Sequence, residues 1–257
     1  MKKFSFVSMI LILTLVLAAC GSSDGENAGG DGEAKVYKVG VDTTYPPFEF
    51  KEGGEYKGID IDLINAIAES QGFEIELKPM DFGGIIPALQ AGQLDVAIAG
   101  MSITEDRKKI VDFSEPYFDA GLSLVVGEGN TDIKSVDDLK GKTVAVKKGT
   151  TGATYALENK DKLGIEITQF DDSPSMFQEV ANGNADALIE DYPVIGYAIK
   201  QKDLGLKIVG DRLNGDQYGI AVLKGENQDL LEKINKGLAE LKENGKYDEI
   251  LNTYLGE

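Results

Sequence analysis

From Val36 onward the chain alternates short apolar runs with helical patterns, and this alternation constrains the fold more than any other feature. "VYKVGV" and "FEIELK" predict strands, and between them "IDIDLINAIAESQG" places Leu63, Ile64 and Ile67 at helical spacing. "GGIIPALQAGQ" then predicts a short helix and "DVAIAG" a buried strand. This order is typical of the βαβ units of a parallel α/β sheet.

The alternation restarts in the second half of the chain. Five apolar runs predict strands: "GLSLVV", "KTVAVKKG", "GIEITQF", "ADALIE" and "LKIVG". Helices are predicted at 135–139, 151–158, 173–181 and 193–202. "YGIAVLKG" predicts one more strand, and an amphipathic segment broken at Gly245 predicts two closing helices. Two α/β units of similar size predict two lobes with a cleft between them.

The first residues have the order of a signal peptide. Lys2 and Lys3 precede an apolar stretch that ends at Ala19 and is shorter than the ~20 residues of a spanning helix. "LAAC" resembles the bacterial lipobox, in which Cys20 becomes the lipid-modified first residue; the alternative is an ordinary signal with a chance cysteine. We expect a signal peptide at 1–19, a flexible linker at 20–35, and a lipid anchor on the extracytoplasmic face of the cell membrane.

Charge and residue usage exclude several functions. The chain has 44 acidic and 26 basic residues, a formal charge of -18, and no basic stripe, so a nucleic-acid partner is not expected. It has no histidine and one cysteine, which excludes histidine-cysteine zinc sites and Ser-His or Cys-His catalytic pairs. Carboxylate chemistry stays open, and we expect no metal or cofactor.

Polar stretches follow four of the predicted strands. They are "VDTTYPPFEF", "GMSITEDR", "VKKGTTG" and "IEDYP". Ligands of open α/β sheets bind beyond the carboxyl ends of the strands, so these stretches are the candidate site.

Arg107 lies in what the sequence predicts to be the first turn of a helix capped by Thr104, where its charge opposes the helix dipole by about 0.3–1 kcal/mol. Its planar guanidinium suits a carboxylate, and free N–H groups at the helix start would add to the same positive field. "GTTG" opens a second predicted helix that offers further N–H groups. These features predict an anion site.

Asp42 and Asp191 can face a cation, and Tyr45 and Phe82 can hold an apolar stem between their rings. Together with the anion site, this combination describes a free amino acid. Each residue also has a structural alternative. The alternatives are a solvated surface charge for Arg107, a turn cap for Asp42, core packing for Phe82, a turn or helix cap for Asp191, and an exposed pair for Lys147 and Lys148.

"GIDIDLINAIA" resembles the signature helix of the bacterial extracellular solute-binding proteins for polar amino acids, although Gln71 departs from that pattern. "DTTYPPFEF", "MSITEDR" and "KKGTTG" resemble the ligand-contact segments of this family. "ELKPMDFGGIIPALQ", "QYGIAVLKG" and "ENGKYDEI" are similar to its glutamine-binding members. The resemblance covers Val36 to Glu257.

The resemblance implies an α/β, two-lobed periplasmic-binding-protein fold of type II with two crossover strands. Lobe one would comprise 36–116 and 220–257, lobe two 122–214, and the hinge would lie near 117–121 and 215–219. It also implies a monomer that delivers a free amino acid to the transmembrane subunits of an ABC permease, without catalysis.

The resemblance further implies a role for each site residue. The implied contacts are Arg107, Ser102 and Thr151 to the ligand α-carboxylate, Asp191 and the Gly100 carbonyl to the α-ammonium, Tyr45 and Phe82 to the side chain, and Asp42 and Lys147 to its far end.

Lys147 and Asp42 together supply a donor and an acceptor for a carboxamide, which favours glutamine over arginine, lysine or glutamate. Glu190 departs from the histidine that glutamine binders have at this position. If Glu190 points into the cleft it admits a basic amino acid, and if it pairs with Lys147 the preference for an amide holds. Two other functions stay open: a dehydratase-like enzyme with Glu190 as acid, and a ligand-sensing module, which we do not expect because no further domain follows.

Overall fold

The computed structural model describes residues 35–201 and 203–256. The predicted signal peptide, Cys20 and all of the predicted linker except Lys35 lie outside these residues. The strands are β1 (Val36–Val41), β2 (Thr44–Tyr45), β3 (Glu49–Glu52), β4 (Glu55–Lys57), β5 (Glu74–Pro79), β6 (Val96–Ala97), β7 (Val111–Phe113), β8 (Phe118–Asp119), β9 (Leu122–Gly127), β10 (Thr143–Lys147), β11 (Glu166–Phe170), β12 (Ala187–Asp191), β13 (Leu206–Val209), β14 (Gln217–Tyr218) and β15 (Ala221–Leu223). The α-helices are α1 (Ile59–Gln71), α2 (Phe82–Gln90), α3 (Thr151–Leu163), α4 (Ser173–Ala181), α5 (Tyr192–Gln201), α6 (Gln228–Glu243) and α7 (Lys246–Leu255).

The first sheet has five strands in the order β5-β1-β6-β15-β7. Strand β1 runs parallel to β5 and to β6, with Val39 opposite both Leu77 and Val96. Helix α1 buries the apolar stripe predicted from its spacing, and α1 packs against α6 and α7. We call this sheet with α1, α2, α6 and α7 lobe one.

The second sheet repeats the arrangement in the order β11-β10-β12-β9-β13. Helices α3, α4 and α5 pack on it, and we call this half lobe two. Both sheets are mixed: the strands of the predicted βαβ units pair in parallel, whereas β15 runs antiparallel to its neighbours in the first sheet, and β9 does so in the second. These are the strands that follow the two chain crossovers. Each therefore enters its sheet at the end nearest the other lobe and runs away from it.

Two short strands connect the lobes. Strands β8 and β14 lie within the predicted hinge segments and pair antiparallel, with Phe118 opposite Tyr218 and Asp119 opposite Gln217. The Tyr117 N–H also donates to the Tyr218 carbonyl at 2.9 Å. The two crossovers are thus hydrogen-bonded to each other.

The segment after β6 corrects one prediction. Instead of an α-helix, Arg107–Lys109 form a single 3₁₀ turn. The Thr104 hydroxyl accepts a hydrogen bond from the Arg107 N–H at 3.2 Å, as a cap does. However, three residues build no appreciable macrodipole, so neither the expected penalty on Arg107 nor a helix-end field arises here. The helix predicted at 135–139 is likewise a 3₁₀ turn, at Val136–Leu139.

Candidate functional site

The carboxyl ends of four central strands carry the candidate site. Asp42 follows β1, Gly100 lies three residues after β6, and Lys147 and Asp191 end β10 and β12. Lobe one supplies the first two and lobe two the others, so the site lies where the lobes meet. The four residues are buried.

A cavity of about 10 Å³, enough for about one water molecule, lies at these strand ends. Eight of the ten residues predicted for ligand binding line it, together with Thr150. The two that do not line it are Asp42 and Glu190, which lie behind its wall. Within 35–201 and 203–256, no group of three or more His, Cys, Asp or Glu side chains is arranged to hold a metal ion.

Arg107 is fixed by backbone carbonyls from both lobes. Its Nη1 donates to the Ser102 carbonyl at 2.7 Å, and its Nη2 donates to the Gly149 carbonyl at 3.0 Å. The guanidinium carbon lies 5.2 Å from the centre of the Phe82 ring. Burial lowers the pKa of Arg107, while the nearby Asp191 carboxylate opposes that shift. Arg107 is therefore a positioned cation in the cavity wall rather than a solvated surface charge.

The start of helix α3 borders the same cavity. Thr150 is its N-cap, with a side-chain oxygen that accepts from the Ala153 N–H at 3.1 Å, and Thr151 is its first residue. The helix has 13 residues, so its N-terminal end carries partial positive charge. The second half of the predicted anion site is thus built on a true helix start.

Lys147 and Asp42 form an ion pair behind the cavity, with side chains only 2% and 3% exposed. The other Asp42 oxygen accepts from the Thr44 N–H at 2.9 Å and from its hydroxyl at 2.7 Å. Asp42 therefore caps a turn and also forms an ion pair with Lys147. Lys148 is exposed and pairs with Asp171 at 2.7 Å, so the alternative of an exposed lysine pair holds only for Lys148.

Two buried carboxyl groups lie side by side in lobe two. The Asp191 carboxylate accepts hydrogen bonds from the hydroxyls of Tyr45, at 2.7 Å, and Tyr218. Glu190 accepts from the Ser173 hydroxyl at 2.6 Å, from the Asp191 N–H at 2.8 Å and from the Tyr45 hydroxyl at 3.1 Å. Burial, with Asp191 next to it, raises the pKa of Glu190 to about 7. Burial also raises the pKa of Asp191.

Glu190 matches neither of the two arrangements considered from the sequence. It does not line the cavity, and no hydrogen bond or ion pair joins it to Lys147 among the contacts of the described residues. Its two oxygens are engaged within the wall instead. The raised pKa of Glu190 thus reduces its negative charge near neutral pH, and its carboxyl group lies in the wall and not at the cavity surface.

Sequence reasoning missed three residues that support the site. They are Tyr218, Ser173 and Asp60, which contact Asp191, Glu190 and the Gly100 N–H respectively. The position of Asp60 at the start of a predicted helix was visible in the sequence, but acidic residues are common there because they interact favourably with the helix dipole. Tyr218 carried none, because its position depends on how the crossovers pair.

Residues 37–257 match the family of bacterial extracellular solute-binding proteins, family 3. The chain is 34% identical to the arginine-binding extracellular protein ArtP of Bacillus subtilis (strain 168), over 97% of this chain and 96% of that protein. It is also 34% identical to the ABC transporter glutamine-binding protein GlnH of the same organism, over 100% of this chain and 98% of that protein.

Solved structures give the same result. An ancestral arginine-binding protein, 49% identical, matches with a TM-score of 0.83 when bound to arginine and 0.81 when bound to glutamine. Each match covers 88% of this chain and 100% of the ancestral protein. The predicted α/β, two-lobed periplasmic-binding-protein fold is confirmed, and the chain belongs to the bacterial extracellular solute-binding proteins, family 3.

Proposed function

We propose that this chain is the extracytoplasmic substrate-binding component of an ABC amino-acid importer, and that its ligand is glutamine. The family and the amino-acid ligands named for its relatives support the first part. The buried Lys147–Asp42 pair beside the cavity carries the second.

The groups that line this cavity are complementary to the backbone of any amino acid, which would enter when the lobes separate. Arg107 and the start of α3 suit the α-carboxylate, because a fork of N–H donors and a helix N-terminus both favour an anion. Asp191 and the Gly100 carbonyl suit the α-ammonium, and the rings of Tyr45 and Phe82 suit the stem of the side chain. These groups select an amino acid without selecting which one.

Lys147 and Asp42 select the side chain. A carboxamide offers its oxygen to Lys147 at the cavity wall, while Asp42 behind the wall stays paired with that lysine, so both charges stay compensated when the ligand is bound. An arginine or lysine side chain would bring a second positive charge to Lys147, and a glutamate carboxylate would compete with Asp42 for the same lysine. A poorly compensated buried charge costs several kcal/mol, and this disfavours the charged ligands. The hydrogen bonds that already occupy Glu190 remove it as a competing anion.

Binding would proceed by closure of the lobes. Ligand docks on lobe one, lobe two rotates about the crossovers, and the segments around Lys147 and Asp191 complete the contacts. Contacts made only in the closed form shift the population toward it, and the closed form is what the permease receives. No catalytic step is required, because paired charges suffice to hold a zwitterion.

A thermal-shift screen against the twenty amino acids tests the ligand. At about 100 times Kd a ligand adds ~2.7 kcal/mol, or roughly 5–10 °C in Tm for a protein of this size, and glutamine should give the largest shift. A shift with arginine and none with glutamine would make the choice of glutamine wrong. No shift with any amino acid would make the proposed function itself wrong.

The membrane anchor and the role of Glu190 have separate tests. We expect a lipid on Cys20, and Cys20→Ser should release the protein from membranes; retention of this variant would contradict the anchor. Among the described residues no helix is long and apolar enough to cross a membrane.

A dehydratase that used Glu190 as its acid would lose its activity in Glu190→Gln, whereas a binding protein would still bind its amino acid.

A further inference from the structure

Asp60 receives hydrogen bonds from two separate parts of lobe one. It lies in the first turn of α1 and is 0% exposed. One carboxylate oxygen accepts from the Gly100 N–H at 2.7 Å, and the other accepts from the Tyr117 hydroxyl at 2.8 Å. Gly100 belongs to the loop that lines the cavity, and Tyr117 begins the first crossover. A single side chain therefore joins the cavity loop to the connection between the lobes.

Gly100 needs such a restraint because its conformation is unusual. Its φ is +51°, and an added Cβ would lie 2.7 Å from the Tyr45 ring, so the position requires glycine. Glycine by itself does not hold one conformation. The bond from its N–H to an anionic oxygen is of the stronger, charge-assisted kind and fixes the peptide geometry of the loop. The Gly100 carbonyl, assigned above to the ligand α-ammonium, is thereby held in place.

Tyr117 extends the connection across the hinge. Its N–H donates to the Tyr218 carbonyl at 2.9 Å, and its own carbonyl accepts from the Tyr247 hydroxyl. The Tyr218 hydroxyl in turn donates to Asp191 in lobe two. Asp60 is thus connected to the cavity on both sides, directly through Gly100 and indirectly through the paired crossovers.

We propose that Asp60 is a positioning residue for ligand binding, whose ionised carboxylate orients Gly100 toward the ligand ammonium and ties that loop to the first crossover. This inference rests on the proposed function, since it takes the Gly100 carbonyl as the ammonium acceptor. An ammonium at that carbonyl brings a positive charge close to Asp60 and favours its ionised form. Binding should therefore strengthen as pH rises through the range in which Asp60 loses its proton.

That range lies near neutrality. Burial raises the pKa of Asp60 to about 7, while the hydrogen bonds from Gly100 and Tyr117 oppose the rise. The titratable groups that face it are Tyr117, from the crossover, and Glu49, from β3; burial raises the pKa of both well above their usual values, which favours their uncharged forms.

Asp60→Asn is the central test, because asparagine keeps the shape and can still accept from Gly100 and donate to the Tyr117 oxygen. In the wild-type protein the Gly100 amide proton resonance should titrate with a midpoint near pH 7, and in Asp60→Asn it should not. Glutamine should bind Asp60→Asn about tenfold more weakly than wild type at pH 8, measured by calorimetry, as expected when a hydrogen bond loses its charged acceptor.

Asp62→Asn is the matched control. Asp62 lies on the same helix and also accepts from a tyrosine, the Tyr254 hydroxyl, at 2.7 Å, but among the contacts of the described residues its side chain has no hydrogen bond to a residue that lines the cavity. It should leave both the Gly100 resonance and the affinity unchanged. An affinity loss in Asp62→Asn equal to that in Asp60→Asn would overturn the proposal.

Tyr117→Phe keeps the test decisive if Asp60→Asn fails to fold. Removal of one donor to the carboxylate should raise the midpoint of the Gly100 titration, and an unchanged midpoint would overturn the proposal. Equal glutamine affinities of wild type and Asp60→Asn at pH 8 would overturn this inference alone. A wild-type protein that binds no amino acid would instead overturn the proposed function.

Discussion

Lys147 of lobe two and Asp42 of lobe one form a buried ion pair, with side chains 2% and 3% exposed. The pair joins the carboxyl ends of β10 and β1, and its lysine lines the cavity between the lobes. Because the pair is shielded from water, each charge is compensated by the other. Both the stability of the joined lobes and the choice of ligand should therefore depend on it.

Lys147→Met should destabilise the protein, because it leaves the Asp42 carboxylate buried without its cation. Loss of one partner of a buried pair costs about 3–5 kcal/mol, which urea unfolding can measure. Lys148→Met is the matched control: Lys148 pairs with Asp171 in solvent, so its loss should cost less than about 1 kcal/mol. Equal losses in the two variants would contradict a special role for the buried pair.

Arg107→Lys should weaken the binding of every amino acid by roughly 100-fold, since lysine keeps the charge but loses the two-pronged donor geometry. Isothermal calorimetry with glutamine measures this. Arg212→Lys is the control: Arg212 stacks on Tyr192 with 4.1 Å between the guanidinium and the ring centre, outside the cavity. Undiminished affinity in Arg107→Lys would remove Arg107 from the carboxylate site.

Gly149→Ala should weaken binding by preventing the closest approach of the lobes. An added Cβ at Gly149 would lie 2.9 Å from the Gly83 Cα in α2, closer than such contacts normally come. Overpacking of this kind costs about 1–3 kcal/mol, or roughly 5- to 150-fold in affinity.

Gly141→Ala separates this contact from backbone strain. Gly141 has the same φ of +76° as Gly149 but no neighbour within 4 Å. The two variants should lose similar stability, and only Gly149→Ala should lose affinity. Equal affinity losses would show that strain, and not the approach of the lobes, is responsible.

Glu49→Gln should reduce the pH dependence of stability. Neither carboxyl oxygen of Glu49 accepts a hydrogen bond from the described residues, and burial, with Asp60 and Asp42 nearby, raises its pKa well above the usual value. The folded state thus binds this proton more tightly than the unfolded state. The resulting stability is complete below the unfolded pKa and decreases as pH rises toward the folded pKa.

Urea unfolding at pH 5 and pH 8 measures the effect. The free energy of unfolding should differ less between the two pH values in Glu49→Gln than in wild type, by about 1.4 kcal/mol for each pKa unit removed. Glu52→Gln, at the exposed end of the same strand, should leave the difference unchanged. An undiminished pH dependence in Glu49→Gln would show that Glu49 is not the group responsible.

Local sequence patterns predict most of the helices and strands and the segments proposed to carry the site. The stripe of α1 and the apolar runs of β1, β9, β10 and β12 are local periodic signals, and they hold whatever the rest of the chain does. Polar residues directly after parallel strands share one edge of a sheet, which is why the four strand-end segments could be chosen. The resemblance to a family then implied the division into lobes and the proposed roles of the residues.

Other features depend on contacts between residues far apart in the chain, which local patterns do not contain. The reversed direction of β9 and β15 follows from the crossovers, and the joining of Tyr218 to Asp191 and of Asp60 to Gly100 depends on how those crossovers and α1 pack. Glu190 illustrates the limit most clearly. Its residue type suggested a charge in the cleft, but hydrogen bonds from Ser173 and Tyr45, 17 and 145 positions away, hold it in the wall. Local spacing cannot predict such partners, because only the folded chain brings them together.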